Sequence, residues 1–209
     1  RKPDISALLE LDMGLESATI FTALAAEYLA DTRDGSGPVS TALTSSEIAE
    51  RFDEPVPLDE MPLEVVAQRL RDEVLPDCNR LYHPRYAGHQ VSPPLPAAIW
   101  TEPLIAALNQ SLAVAEMSPV ATVIEHRVIQ WMCELAGFGE QAGGTLTSGG
   151  TEATFTALLA ARAAALPDAW TQGVGADPPV VVCGEHAHYA VARAVAELGL
   201  GLNNAVVIP

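Results

Sequence analysis

The sequence carries little positive charge, and almost none of it comes from lysine. Its 209 residues include 11 basic and 27 acidic residues, which gives a formal net charge of −16. Such a surface repels phosphate backbones and anionic lipid, so nucleic acid and membrane surfaces are disfavoured as partners. The single lysine, Lys2, stands at the amino terminus. Any mechanism that needs a lysine within the body of the fold is therefore excluded for this chain alone.

Cysteines and long apolar runs are also scarce. Cys78, Cys133 and Cys183 are widely spaced and form no CxxC pair, so we expect neither a disulfide framework nor a metal site. No apolar run approaches the length of a membrane span, and no basic segment followed by an apolar one opens the chain. We therefore expect a cytoplasmic protein. The first residue is Arg1 rather than methionine, which is typical of a trimmed start.

Apolar residues make up 49% of the sequence, enough for a sizeable core. Residues 1–82 are predicted to form a helical segment. Apolar residues recur at three- and four-residue spacing in Glu16–Leu29, which predicts a helix. Thr44 and Glu47 have the spacing of a capping box at the start of a short helix. Pro62 suits the first turn of another helix, running to Leu75.

Residues 83–209 are predicted to form the first part of a mostly parallel α/β sheet with flanking helices. The expected elements are helices over Ala97–Asn109 and from Ser118-Pro119 to before Gly137, a strand at Thr145–Thr147, a helix to about Leu166, a buried strand at Pro179–Cys183, a helix over Ala187–Leu198 and a buried strand at Asn204–Ile208. The alternation of strands and helices indicates the parallel sheet. Three strands are the beginning of such a domain rather than a finished one.

The segment Thr147–Thr154 (TSGGTEAT) has the composition of an anion-binding turn. Two glycines allow close backbone approach, and the first-turn amides of a following helix, together with the Ser148 and Thr151 hydroxyls, suit a phosphate. An ordinary glycine-containing turn with Ser148 or Thr151 as helix cap is equally consistent with the spacing. The segment matches neither GxxxxGK nor GxGxxG.

Two further segments carry candidate side chains. Cys183–Ala190 (CGEHAHYA) follows a predicted strand, where ligands gather in parallel sheets. His188 could stack on a planar cofactor or exchange protons, or simply cap or pack in the next helix. The proline-rich loop His83–Pro96 places Tyr86, His89 and Ser92 either in a binding loop or in a rigid connector. No GxSxG sequence supports a hydrolase triad.

Four segments occur in the order expected of one known family: His83–Gln90 (HPRYAGHQ), Ala107–Met132, Thr147–Thr154 and Glu185–Gly201. On these segments the chain closely resembles the amino-terminal half of the pyridoxal-phosphate-dependent group II amino-acid decarboxylases. That family includes aromatic-L-amino-acid, glutamate, histidine and diaminobutyrate decarboxylases. The similarity covers about residues 62–209.

The resemblance implies a fold-type I PLP-transferase-like domain, with an N-terminal helical segment over 1–82 and the first part of the large domain over 83–209. It implies pyridoxal 5′-phosphate as cofactor, an amino acid as substrate and a homodimer with active sites at the subunit interface. In this scheme Ser148, Gly149, Gly150 and Thr151 bind the cofactor phosphate. His188 stacks on the cofactor ring and helps to place protons. Tyr86, His89 and Ser92 line the substrate pocket.

The sequence departs from this family in two respects. The Schiff-base lysine and the aspartate that pairs with the ring nitrogen have no counterpart here, and Lys2 lies outside the matching region. We therefore expect this chain alone to be inactive and to need a C-terminal portion or chain that supplies the lysine. Val114–Met117 lacks the aromatic residue that many relatives carry before Ser118-Pro119, so an aromatic substrate is not implied.

We therefore hypothesise that the chain is the N-terminal portion of a PLP-dependent amino-acid decarboxylase. One alternative is a PLP-dependent carbon–carbon lyase of the sphingosine-phosphate-lyase type, acting on a phosphorylated amino alcohol. The other is a non-catalytic dimerisation fragment. The identity of the decarboxylated amino acid is not encoded in these residues.

Overall fold

The computed structural model of the chain describes residues 15–209. Lys2 and the rest of the first fourteen residues lie outside that range. The chain divides into two compact units, one up to Ala107 and one from Leu108. The boundary expected at residues 82 and 83 stays a prediction about domains. None of the helices in the described range is long and apolar enough to cross a membrane.

The first unit is helical, as the sequence predicts. Its elements are α1 (Leu15–Arg33), α2 (Ser45–Arg51), α3 (Leu63–Arg69), a π-helical turn (Leu70–Val74), a 3₁₀ turn (Leu75–Asp77) and α4 (Pro96–Leu108). The last residue of α4 belongs to the second unit. Helices α1 and α3 pack together, and Leu24 and Ala67 are buried.

Residues next to the helix mark the start of α2 and of α3. The Thr44 Oγ1 accepts from the Glu47 N–H at 3.3 Å, and the Glu47 carboxylate accepts from the Thr44 N–H at 2.7 Å. The capping box predicted for α2 is therefore present, and it satisfies two backbone donors. Pro62 lies one residue before α3, as its N-cap rather than within its first turn.

The second unit begins with a 3₁₀ turn (Ala115–Met117) and then forms α5 (Pro119–Leu135), α6 (Gly150–Ala165), α7 (Ala169–Gln172), β1 (Val181–Gly184), α8 (Ala190–Glu197), a 3₁₀ turn (Leu202–Asn204) and β2 (Ala205–Ile208). Strands β1 and β2 are parallel, with Val181 opposite Ala205 and Gly184 opposite Ile208. The predicted strand–helix–strand order is therefore present around α8.

The core of the second unit lies between the sheet and two helices. Val195, Leu198 and Leu200 are fully or almost fully buried. They pack against the partly buried side chains Phe155, Leu158, Leu159, Val174, Val181 and Ala205. This cluster covers one face of β1 and β2 and fixes α6 beside α8.

Three details differ from the sequence expectations. Thr145–Thr147 is not a strand, because no neighbouring strand among residues 15–209 pairs with it. The strands are not buried on both faces: Val182 is 58% exposed, since the core packs against the opposite face, that of Val181 and Ala205. Val207 shares the face of Ala205 but lies further along β2, and it is 60% exposed. Ser118 precedes α5, but its side chain makes no capping hydrogen bond and its Oγ is buried without a partner.

Candidate functional site

The predicted anion-binding turn lies directly before α6. Gly149 is the N-cap residue, and the helix begins at Gly150. The first amides of a helix have no acceptor within the helix, and the helix dipole places positive potential there. The side chains of Ser148 and Thr151 add hydroxyl groups beside these amides. The donor set therefore fits a phosphate group, which accepts several hydrogen bonds at once.

The conformation of the turn does not itself require glycine. Gly149 has φ 176° and ψ 172°, an extended conformation open to any residue, and Gly150 begins the helix. A Cβ built on either glycine meets no atom within 4 Å. Neither Ser148 nor Thr151 caps the helix, since the N-cap is Gly149 and no side-chain cap bond is made. These residues therefore do not form the alternative considered above, a turn that needs glycine and is capped by the side chain of Ser148 or Thr151.

The carboxylate of Glu152 folds back over this turn. Its Oε2 accepts hydrogen bonds from the Ser148 N–H at 2.9 Å and from the Ser148 Oγ at 2.6 Å. These bonds hold the pKa of the Glu152 carboxyl below its ordinary value, the hydroxyl bond contributing most. The sequence analysis considered only the first-turn amides and the hydroxyl groups of this segment, and it missed the carboxylate of Glu152. The four-residue spacing of Ser148 and Glu152, close to that of a capping box, could have revealed it.

His188 lies at the start of α8, just after β1. Its Nδ1 accepts a hydrogen bond from the Ala190 N–H at 3.2 Å, so the imidazole satisfies the first amide of this helix, whose N-cap residue is Tyr189. We call this bond the His188 cap. The neutral ring therefore carries its proton on Nε2. The rings of His188 and Tyr189 lie 4.2 Å apart between centroids with an interplanar angle of 37°, and the Arg193 guanidinium lies 5.0 Å from the Tyr189 centroid. The cap engages Nδ1 and leaves the Nε2–H for another partner.

The starts of α6 and α8, where the turn and His188 lie, are at the same end of this packed helix pair. Arg162, near the carboxyl end of α6, donates from Nη1 to the Leu198 carbonyl oxygen at the end of α8, at 2.9 Å. The two packed helices therefore run in the same direction, with their carboxyl ends together. At 1.5 Å per residue, Gly150 lies about 18 Å along α6 from Arg162, and Ala190 about 12 Å along α8 from Leu198. Both helix starts thus face the carboxyl end of β1.

The residues predicted to line a substrate pocket belong to the first unit. His89 and Ser92 are exposed, and Tyr86 is half-buried. The Tyr86 ring lies over the backbone at Gly88, where an added Cβ would come within 3.2 Å of the ring. The assignment of Tyr86, His89 and Ser92 to substrate stays a prediction.

Two other histidines of the candidate segments have different surroundings. His83 is 4% exposed; its Nδ1 accepts from the Arg85 N–H and its Nε2 lies 3.1 Å from the Gly35 carbonyl oxygen. Both nitrogens are thereby satisfied, so His83 stabilises the loop rather than facing a ligand. The side chain of His186 is 95% exposed and lies 3.6 Å from Glu185. In the range 15–209 no cluster of His, Cys, Asp and Glu side chains could hold a metal ion.

Comparison with known proteins identifies the family. Residues 46–207 match the model of the pyridoxal-dependent decarboxylase conserved domain. The L-2,4-diaminobutyrate decarboxylase of Rhizobium meliloti (strain 1021) is 36% identical over 126 residues, which cover 60% of this chain and 24% of that protein. The chain therefore spans about a quarter of the length of this curated relative.

Solved structures agree on the fold. The glutamate decarboxylase domain of diaminobutyrate-pyruvate transaminase and L-2,4-diaminobutyrate decarboxylase from Vibrio parahaemolyticus superposes with a TM-score of 0.83 at 25% identity, covering 95% of this chain and 45% of that one. Oryza sativa TDC, solved with PLP and tryptamine, gives a TM-score of 0.83 at 22% identity, covering 96% and 42%.

These findings confirm the resemblance inferred from the four sequence segments. They also confirm that the chain forms part of a fold-type I domain. Pyridoxal phosphate is confirmed as the cofactor of the family. On the match over residues 46–207, the chain belongs to the pyridoxal-dependent decarboxylase family.

Proposed function

We propose that this chain supplies the phosphate-binding turn and the ring-stacking histidine of a PLP-dependent amino-acid decarboxylase. Ser148, Gly149, Gly150 and Thr151 hold the cofactor phosphate, and His188 covers the cofactor ring. The bound cofactor supplies a conjugated ring that accepts the electron pair left when the substrate loses its α-carboxylate as carbon dioxide.

The observation that carries this proposal is the glycine pair at the start of α6. Neither Gly149 nor Gly150 has a φ angle that demands glycine, and neither has an atom near its absent Cβ. The chain itself therefore gives no steric reason for two glycines here. A ligand that lies against the backbone does give one, since a Cβ at either position would keep a phosphate from the first-turn amides.

His188 is suited to its proposed role by the bond that fixes its ring. Because the Ala190 N–H occupies Nδ1, the ring orientation is set and the Nε2–H remains available as a donor. We propose that His188 lies against the cofactor ring and donates from Nε2 to the cofactor or substrate. The Tyr189 ring beside it restricts the imidazole further.

We further propose that a sequence outside these 209 residues supplies the Schiff-base lysine, since no lysine follows Lys2. The surface of the second unit supports a partner segment or subunit. Val120 is 67% exposed, Val123 68% and Leu135 83%, all on α5. Apolar patches of this kind are typical of surfaces that another polypeptide covers. A homodimer of the complete enzyme is the arrangement that we propose.

The proposed substrate is a small amino acid, and the proposed compartment is the cytoplasm. The curated relative is named for L-2,4-diaminobutyrate, which makes that amino acid the first to test. The three cysteines lie in the described part of the chain and are all free, in keeping with a reducing compartment.

The test uses the protein as it is naturally expressed, with an intact-mass measurement that identifies any lysine-bearing sequence or chain. Carbon dioxide release is measured with L-2,4-diaminobutyrate, L-glutamate and L-tryptophan. Binding of 4′-deoxypyridoxine 5′-phosphate, a cofactor analogue without the reactive aldehyde, is measured by calorimetry for the wild type and Gly150→Ala. We expect release from one amino acid and an affinity at least about tenfold weaker in the variant.

Gly150→Ala isolates ligand approach from folding, because its Cβ meets no atom of the chain. We therefore expect its thermal midpoint to equal or exceed that of the wild type. An unchanged analogue affinity in this variant would overturn the assignment of the turn. A lysine-bearing protein that releases no carbon dioxide from any amino acid would overturn the decarboxylase proposal.

A further inference from the structure

The carboxylate of Glu152 occupies part of the turn that we assign to the cofactor phosphate. Both donors of Ser148, its N–H and its hydroxyl, point to the same carboxylate oxygen of Glu152. A serine hydroxyl has one proton to donate. While the carboxylate holds it, Ser148 can offer a second anion only lone pairs. The Ser148–Glu152 contact and a bond from Ser148 to a phosphate therefore exclude one another.

The position of Glu152 explains why its carboxylate accepts from these donors. It is the third residue of α6, within the first turn, where the helix dipole favours negative charge. A phosphate at the amides of Gly150 and Thr151 offers the same complementary charge. The two anions then compete for one set of donors, and they also repel each other.

We infer that Glu152 is an internal competitor of the cofactor phosphate. Its carboxylate holds the Ser148 donors and must release them for the phosphate to bind there. The inference rests on the proposed function, because it assumes that the cofactor phosphate binds at this turn. It assigns Glu152 the role of setting the affinity of that turn for its anion.

The decisive variant is Glu152→Gln, which keeps the size of the side chain but removes its charge. A neutral amide oxygen is a weaker acceptor than a carboxylate, so Ser148 is released at lower cost. The repulsion of the phosphate also disappears. We expect the variant to bind 4′-deoxypyridoxine 5′-phosphate roughly fivefold more tightly, the effect of one exposed charge a few ångströms away.

Ser148→Ala, alone and combined with Glu152→Gln, separates competition from simple repulsion. Competition needs the Ser148 hydroxyl, so the gain from Glu152→Gln is expected to be smaller in the Ser148→Ala background. An equal gain in both backgrounds, or no gain in either, would overturn the inference. Glu152→Asp provides a second measurement, because its shorter side chain keeps the charge but loses reach to Ser148. We expect it to bind the analogue more tightly than the wild type, and weaker or equal binding counts against competition.

Three controls accompany the titrations, all on the naturally expressed protein. Glu197→Gln removes the same charge at the far end of α8 and is expected to leave the affinity unchanged. The dephosphorylated analogue 4′-deoxypyridoxine is expected to bind the wild type and Glu152→Gln equally. Gly150→Ala tests the underlying assignment. If it weakens binding while Glu152→Gln has no effect, only the inference fails; if Gly150→Ala also has no effect, the proposed function fails as well.

Discussion

The guanidinium of Arg162 donates to the carbonyl oxygen of Leu198 and so joins the carboxyl end of α6 to that of α8. The same guanidinium lies 5.6 Å from the centroid of the Trp170 ring. One side chain thus connects three helices of the second unit. It also satisfies a carbonyl group at the end of α8, which has no donor within the helix.

Arg162→Met is expected to lower the free energy of unfolding by about 1.5 kcal/mol, since a charge-assisted hydrogen bond is lost while most of the apolar stem is kept. Urea denaturation followed by circular dichroism measures the change. Arg193→Met, a substitution at an exposed arginine of α8, is the matched control and is expected to cost less. Equal losses for the two variants would mean that the Leu198 bond contributes nothing specific.

Two substitutions separate the contribution of His188 to helix capping from the contribution of its ring to cofactor binding. The Oδ1 of asparagine can accept from the Ala190 N–H as the Nδ1 of histidine does, so His188→Asn keeps the cap. His188→Ala removes it and is expected to lower the thermal midpoint by a few degrees more than His188→Asn.

Both His188 variants lack the imidazole ring, so both are expected to bind 4′-deoxypyridoxine 5′-phosphate about two- to tenfold more weakly, since ring stacking contributes roughly 0.5 to 1.5 kcal/mol. Calorimetry checks the affinities, and thermal melts check the cap. If both variants keep full affinity for the analogue and only His188→Ala loses stability, His188 acts as a helix cap and does not bind the cofactor.

Acid is expected to weaken the first unit through Asp77. Hydrogen bonds from Thr41 and Arg51 hold the pKa of this carboxyl below its ordinary value of 3.8. The folded state therefore binds this proton less readily than the unfolded state does. The stabilisation is fully present above the ordinary value and is lost as the pH falls through the folded pKa.

The measurement is the urea midpoint at pH 7 and at pH 3 for the wild type and Asp77→Asn. We expect the variant to be less stable at pH 7 and to lose less stability on acidification. Asp59→Asn, which removes the charge of an exposed aspartate before α3, serves as the control. An identical pH response in the wild type and Asp77→Asn would show that Asp77 is not a source of the acid sensitivity.

Gly199 ends α8 in the left-handed conformation, with φ 76°. Its N–H donates to the Ala196 carbonyl oxygen at 3.0 Å, and the Leu200 N–H donates to that of Val195 at 3.1 Å, the pair of bonds that defines a Schellman motif. Gly199→Ala is expected to cost about 1 kcal/mol, because a Cβ is unfavourable at this φ. Gly143→Ala has open space and no such strain, so urea denaturation is expected to find it close to neutral.

The sequence predicted most accurately those features that depend on near neighbours. The Thr44–Glu47 capping box and the end of the helix predicted over Ala187–Leu198 both depend on contacts within a few residues. The strand expected at Thr145–Thr147 failed for the opposite reason, since a strand exists only beside another strand. Exposure of Val182 and Val207 likewise depends on which elements cover the sheet.

The position of the candidate site comes from the sequence and stays a prediction, whereas the hydrogen bonds within it could not be predicted. The glycine pair and His188 were found from residue type and from their place after predicted strands. The reach of Glu152 back to Ser148 and the cap from Ala190 to His188 depend on side-chain rotamers. A sequence motif shows which chemical groups are present, and the structure shows which of them are hydrogen-bonded to each other.

The pairing of β1 with β2 across α8 has a consequence for the order in which the chain gains structure. Val181 and Ala205 are separated by a single short helix, so the entropy lost in closing this loop is small. Val195 and Leu198 lie within the same loop and supply its apolar contacts. We expect this strand–helix–strand unit to act as the folding nucleus of the second unit, with α6 docking afterwards.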